Sequence, residues 1–181
     1  MNTTNLIKTD FRRHIAYTRV NKINRNHFRN YGLFFSLFLM DTGFRGILLY
    51  RIVHSQCSES RIRLYIAYFF YRILTSIEIS PRAQIGQGLF FPHPQCIVIG
   101  HAILGDNCTV YHGVTIGAKL PFHDDYPNIG NDVYIGEGST ILGDVSIGNN
   151  VTIGAKSIVL EDIPDNSVVI GNPAKIIRKT R

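Results

Sequence analysis

The sequence predicts a parallel β-helix of six-residue repeats preceded by a basic helical region, and three observations carry that prediction. Aliphatic or aromatic residues recur every six positions from Ile79 onward. Apolar runs of helical length fill the chain before that point and stop at Thr75. Charge divides at the same place: residues 1–75 hold 12 basic and 3 acidic side chains, net +9, and residues 76–181 hold 7 basic and 10 acidic, net −3. A chain of 181 residues with 45% hydrophobic and 18% charged residues buries a real core, which excludes a disordered or fibrous polypeptide.

The helical region is read from about Thr9 to Thr75. Leu33 to Met40 and Ile47 to Val53 are densely apolar, with a turn predicted at Asp41-Thr42-Gly43 and a break at Ser55-Gln56-Cys57-Ser58. The run from Arg61 to Leu74 is long enough for a buried or interfacial helix, and Arg61, Arg63 and Arg72 flank its aromatic residues. That arrangement suits a lipid surface. A packed helix whose arginines snorkel outward is the preferred reading. The first 25 residues are polar and Asn-rich and carry no pattern. The whole basic head suits an anionic surface such as a phospholipid leaflet, a charged glycan or nucleic acid, and equally a solvated helical face.

Nothing at the N-terminus resembles an apolar signal core, and the most apolar stretch, Tyr31 to Tyr50, is interrupted by Asp41, Gly43, Arg45 and Gly46. Neither secretion nor a membrane span is expected. Cys57, Cys96 and Cys108 lack metal-type spacing and form an odd count, which fits a reducing cytosol, with no zinc site or disulfide framework.

In the repeat region the large residues are Ile79, Ile85, Phe91, Val98, Leu104, Val110 and Ile116, then Ile129, Ile135, Ile141, Ile147, Ile153 and Val159. Smaller residues stand two places before most of them, among them Ala83, Cys96, Ala102, Cys108 and Val114. Three hexapeptides make one triangular coil of about eighteen residues, with the large side chain inward and Gly or Asn at corners such as Asn149-Asn150. Cys96 and Cys108 are therefore expected as small core residues, not reactive thiols. The predicted division is a helical region over 1–76, a β-helix over 77–172 with a protruding loop at 118–127, and a tail over 173–181.

Interruptions of the repeat locate the candidate site. From Phe91 to Val98 the step is seven, so one residue is inserted beside Pro92-His93-Pro94-Gln95, and a bulge re-aims side chains. From Ile116 to Ile129 the step is thirteen, and the proline-bounded segment from Ala118 to Pro127 reads as a loop. Coil arithmetic stacks His112 on His93 and brings Glu78, fifteen residues before His93, close to it on neighbouring strands about 4.8 Å apart. A carboxylate beside an imidazole is the arrangement of a general base whose tautomer is held by an acid. His93, Glu78 and His112 are the catalytic candidates; His101 reads as a surface residue, and His123 and Tyr126 as loop residues that contact acceptor or cofactor.

The helical head, the sixfold repeat, the stretch from His93 to Gly100, the string His112-Gly113-Val114-Thr115-Ile116-Gly117 and the ending Gly171-Asn172-Pro173-Ala174-Lys175 together resemble the serine O-acetyltransferase family of left-handed β-helix acetyltransferases. The likeness covers roughly residues 45–178 and is nearest to members of exopolysaccharide and capsule synthesis, such as the colanic-acid type. It implies the left-handed sense, acetyl transfer from acetyl-CoA to a hydroxyl with no metal, a homotrimer, and active sites shared between neighbouring helices. It also implies that His93 is the catalytic base partnered by Glu78, and that Gly117, Ala155, Lys156 and Lys175 line the CoA groove.

Two departures from the serine-specific pattern bear on the acceptor. Pro92 stands where those members carry an aspartate, and Tyr126 stands where they carry a histidine before Pro127. Losing an acid for the ammonium and an imidazole near the carboxylate weakens recognition of a zwitterion. A saccharide acceptor bound through Tyr126 and His123 is therefore the expectation, in capsule, exopolysaccharide or lipopolysaccharide synthesis. The alternatives are a serine O-acetyltransferase of cysteine biosynthesis and a non-catalytic scaffold that docks a membrane synthase. The expected location is cytoplasmic, with peripheral contact to an anionic membrane through the basic head and no nucleic-acid partner.

Overall fold

The computed structural model describes residues 3–17, 27–55, 61–120 and 123–179. Four helices come first: α1 (Thr3–Tyr17), α2 (His27–Met40), α3 (Thr42–Ser55) and α4 (Arg61–Thr75). The turn expected at Asp41-Thr42-Gly43 shrinks to one residue. Asp41 caps α3 by accepting a hydrogen bond from the Phe44 N–H at 2.8 Å, and Gly43 is already helical. Gly43 is needed for another reason, since a Cβ there would collide with the Phe91 carbonyl oxygen. The break expected at Ser55-Gln56-Cys57-Ser58 falls, after Ser55, outside the described residues.

From Ile77 the chain winds into stacked coils with three flat faces. The first face holds β1 (Ile77–Ile79), β3 (Ile97–Ile99), β6 (Thr115–Gly117), β9 (Thr140–Leu142) and β12 (Ile158–Val159), all parallel. The second holds β2 (Gln84–Ile85), β4 (Ile103–Leu104), β7 (Asn128–Ile129) and β10 (Ser146–Ile147). The third holds β5 (Thr109–Val110), β8 (Tyr134–Ile135), β11 (Thr152–Ile153) and β13 (Ser167–Gly171). Residues 174–179 were expected as a tail; they form β14 (Ala174–Lys179), which turns back antiparallel on β13 and covers its open edge.

Periodicity explains the core. Ile85, Leu104, Val110, Ile116, Ile129, Ile135, Ile141 and Ile153 point inward and are buried, and the small residues Ala83, Ala102, Cys108 and Val114 fill the space between them. Burial pushes the Cys108 thiol up to about 11, so it stays protonated and behaves as a small apolar side chain. Corners are turned by residues in the left-handed region, Asn150 at φ 54° among them. One corner is laced by side chains: Asp106 N–H donates to Asn131, Asn131 N–H to Asn149 and Asn149 N–H to Asp165, all between 2.6 and 2.8 Å.

Two inward assignments are corrected. Val98 pairs with Thr115 and is 40% exposed, while Ile97 and Ile99 are buried. Cys96 is exposed at a corner with φ 56° and is not a core residue. The cause is a miscounted insertion. Between the pairs Phe90↔Thr109 and Val98↔Thr115 one coil takes eight residues and the next takes six, so two residues are inserted, not one. A register error of one residue flips every side chain of a strand.

The helical region docks on the first coil through buried polar contacts. Arg51 bonds Asp10 at 3.0 Å with side chains 2% and 1% exposed, and its other nitrogens donate to the Ile85 and Gly86 carbonyls. Asp10 also accepts from the Leu89 N–H at 3.0 Å, and Arg13 reaches the Gly88 and Cys108 carbonyls. Burial raises the Asp10 carboxyl against the pull of Arg51. The inward side of α1 mixes the polar Asp10, Arg13 and His14 with Ile7, Phe11 and Ile15, which pack on Phe44 and its neighbours, and that mixture blurs the apolar pattern in the sequence.

Candidate active site

The corner between the third and first faces gathers the histidines. Backbone bonds from Gly113 N–H to the Gln95 carbonyl, from Gly138 N–H to the His112 carbonyl and from Lys156 N–H to the Glu137 carbonyl set its register. Gln95, His112, Glu137 and Ala155 thus form a column, each followed by a left-handed residue: Cys96, Gly113, Gly138 and Lys156. The two inserted residues lift Pro92-His93-Pro94 out of this column. Pro94 is buried and Pro92 half-buried, which pins the bulge, and His93 is exposed at its crest.

The His93 ring lies 6.2 Å from the His112 ring, at 74°, and 6.3 Å from the Tyr111 ring. Stacking of His112 beside His93, expected from coil arithmetic, is therefore observed. Glu78 is placed differently. It stands opposite Val98 in the register of the first face, and its carboxylate bonds Arg72 of α4 at 2.9 Å. Among the described residues no hydrogen bond or ion pair joins Glu78 to His93. With the two inserted residues this coil takes twenty residues from Glu78 to its register partner Val98, and His93 stands five residues before that partner.

The carboxylate that does meet an imidazole is Glu137, 3.6 Å from His112 Nε2, an ion pair when the imidazole is protonated. Counting by eighteen missed it. The 25 residues from His112 to Glu137 equal one coil plus the seven residues that the loop adds, a sum available in the sequence. His112 Nδ1 is buried with no hydrogen-bond partner among the described residues.

The remaining candidates divide between places. Ala155 and Lys156 are exposed at the histidine corner, two coils beyond His112. Gly117 closes the far end of the first face, where its carbonyl accepts from Gly143 N–H at 3.0 Å. Tyr126 lies at that far end too, tilted against His101 with ring centroids 4.6 Å apart and pressed on Gly100. His123 is exposed in the loop, and Lys175 lies on β14 opposite Ile170. His101 is thus a partner of the loop. Among the described residues no group of three or more His, Cys, Asp or Glu side chains is placed to hold a metal ion.

Residues 126–161 match the family Bacterial transferase hexapeptide (six repeats). Over 148 residues the chain is 39% identical to a serine acetyltransferase of Helicobacter pylori, which spans 79% of this chain and 85% of that protein. The chain belongs to the serine acetyltransferase family. As a member of that family it is an acyltransferase dependent on acetyl-CoA. The structure of Brucella abortus serine acetyltransferase in complex with coenzyme A superposes with a TM-score of 0.84 at 30% identity, covering 98% of this chain and 68% of that one. The Neisseria gonorrhoeae serine acetyltransferase in complex with serine superposes at 0.80 and 32% identity, covering 97% and 69%.

These likenesses overturn the saccharide acceptor and the capsule or exopolysaccharide role, because the relatives are serine acetyltransferases. The physical reason lies in the site. Tyr126 is expected as a loop contact for a saccharide, yet within the chain it packs on His101 at the opposite end of the face from His93. Its aromatic ring answers a packing need there.

Proposed function

We propose that this member of the serine acetyltransferase family transfers the acetyl group of acetyl-CoA to the hydroxyl of free L-serine. His93 takes the hydroxyl proton, the alkoxide oxygen attacks the thioester carbonyl, the C–S bond breaks, and the proton passes to the departing thiolate. The products are O-acetyl-L-serine and CoA. The observation that carries this reading is the identity to the Helicobacter pylori enzyme over 85% of its length, joined to a bulged corner that presents His93 to solvent.

Ala155 and Lys156, on the same corner as His93, are assigned to the CoA groove. Gly117 and Tyr126 sit at the other end of the first face, and a left-handed trimer in which that end abuts a neighbour's histidine corner would unite the two sets. Glu137 is assigned to compensate charge on His112, the imidazole it faces. Thiol release from acetyl-CoA, followed with L-serine and with mass detection of the ester, tests the proposal. Serine-dependent release that falls about tenfold in Glu137→Gln is expected; no serine-dependent release from the wild-type chain overturns the proposal.

A further inference from the structure

The helix that leads into the coil leaves its apolar face uncovered. Ile62, Tyr65, Ile66, Phe69, Phe70, Ile73 and Leu74 of α4 are each between 54% and 72% exposed. Their spacing alternates three and one, so all seven fall on one continuous stripe of the helix. Sequence reading preferred a packed helix here; the structure packs only the opposite side, with Leu64, Ala67, Tyr68 and Tyr71 against the core. Seven large side chains at that exposure present apolar surface on the order of the ~800 Å² that each partner buries in a stable interface. A patch of that size and continuity marks a binding surface.

Charge decides between occupants. Residues 1–75 carry net +9, and their three acids offer little compensation. Asp10 is buried under Arg51, Asp41 caps α3, and Glu59 lies outside the described residues. Lys8 and Arg12 of α1 are exposed, and α4 contains no acidic residue. A region of net +9 is attracted to an anionic lipid surface, and that complementarity favours this occupant. Among the described residues no helix is long and apolar enough to cross a membrane. Aromatic and aliphatic side chains on one stripe of a short helix, within a chain segment of net +9, are the composition of a helix that lies in the plane of the headgroups.

We infer that α4 docks this protein on an anionic lipid surface, with the stripe buried at the headgroup boundary and the basic region supplying the attraction. Co-sedimentation of the full chain with phosphatidylcholine vesicles, with and without about one-third phosphatidylglycerol, tests it at low and high salt, beside light-scattering mass without vesicles. Binding at least about tenfold stronger to the anionic vesicles, weakened by salt and lost in Phe69→Ser/Phe70→Ser/Ile73→Ser at unchanged solution mass, supports the inference. No binding by the wild-type chain, equal binding to both vesicle types, or undiminished binding by the variant overturns it. A solution mass that falls in the variant assigns the stripe to a second copy and also overturns it. Acetyl transfer to a soluble acceptor is read separately, so failure here leaves the proposed reaction untouched.

Discussion

The helical region and the coil region hold themselves together in opposite ways. In the coil, each repeat buries the same kind of side chain at the same position: Ile129, Ile135, Ile141, Ile147 and Ile153 succeed one another inward, and neighbouring strands satisfy the backbone. In the helical region irregular apolar packing, with Ile47, Tyr50, Val53 and Tyr71 in the main core and Phe44 in a second cluster, is joined by a few buried polar contacts. Asp10, Arg51 and Arg13 reach backbone groups from Ile85 to Leu89 and, on the next coil, Cys108 and Thr109, and a large apolar stripe remains outside. A repeat spreads stability over many equivalent small terms, while the head combines one-of-a-kind apolar contacts with a buried ion pair that no neighbouring repeat duplicates.

The largest effect should separate function from docking. His93→Ala, at the exposed crest of the bulge, should lower serine-dependent thiol release by roughly 10²–10⁴-fold while leaving circular dichroism and the unfolding midpoint unchanged. A near-normal rate would remove His93 from the reaction and with it the assignment of chemistry to the coil. Next comes Asp10→Ala. It strands the buried Arg51 guanidinium and should cost about 3–5 kcal/mol in urea unfolding followed by the helical signal. A loss under 1 kcal/mol would mean that the head is held by apolar contacts after all.

The register correction predicts a contrast within one strand. Ile99→Ala should destabilise the coil by about 2–5 kcal/mol, whereas Val98→Ala, on the outward side, should cost under about 0.5 kcal/mol. Equal costs would restore the one-residue insertion. The smallest effect concerns pH. Burial lowers the pKa of His14, fully enclosed at the head and set edge-on to Phe90 with ring centroids 4.6 Å apart. A native state that binds fewer protons than the unfolded chain loses stability as pH falls below the ordinary histidine value of 6.5 toward the lowered one. Asp10, raised by burial, acts in the opposite sense, so the comparison is made against His14→Gln. The wild-type chain should lose more stability than that variant between pH 7 and pH 5; parallel pH curves would exclude His14 as the source.

Legibility follows the same division. Inward positions from Leu104 to Val159 could be read from spacing, since a six-residue period is local and needs no knowledge of neighbours. Val98 and Cys96 were misplaced because an insertion has no unique position in a sequence: two residues gained at one corner and one lost at the next look like a single extra residue. Glu137 was missed for a related reason. Its contact with His112 depends on adding the loop's seven residues to the coil, and an imidazole finds its carboxylate by distance across strands, not by regular spacing.

By itself the sequence determined the period, the inward side chains of most coils, the bulge that carries His93, the stacking of His112 beside it and the basic character of the head. Those properties are set within a few residues, by alternation, proline and charge. Only the tertiary structure decided which carboxylate meets an imidazole, that Glu78 is tied to Arg72, that Tyr126 rests on His101, and that the face of α4 stays open. Each of these depends on offsets accumulated over whole coils and on which surfaces the packing leaves uncovered, and neither quantity is local in the chain.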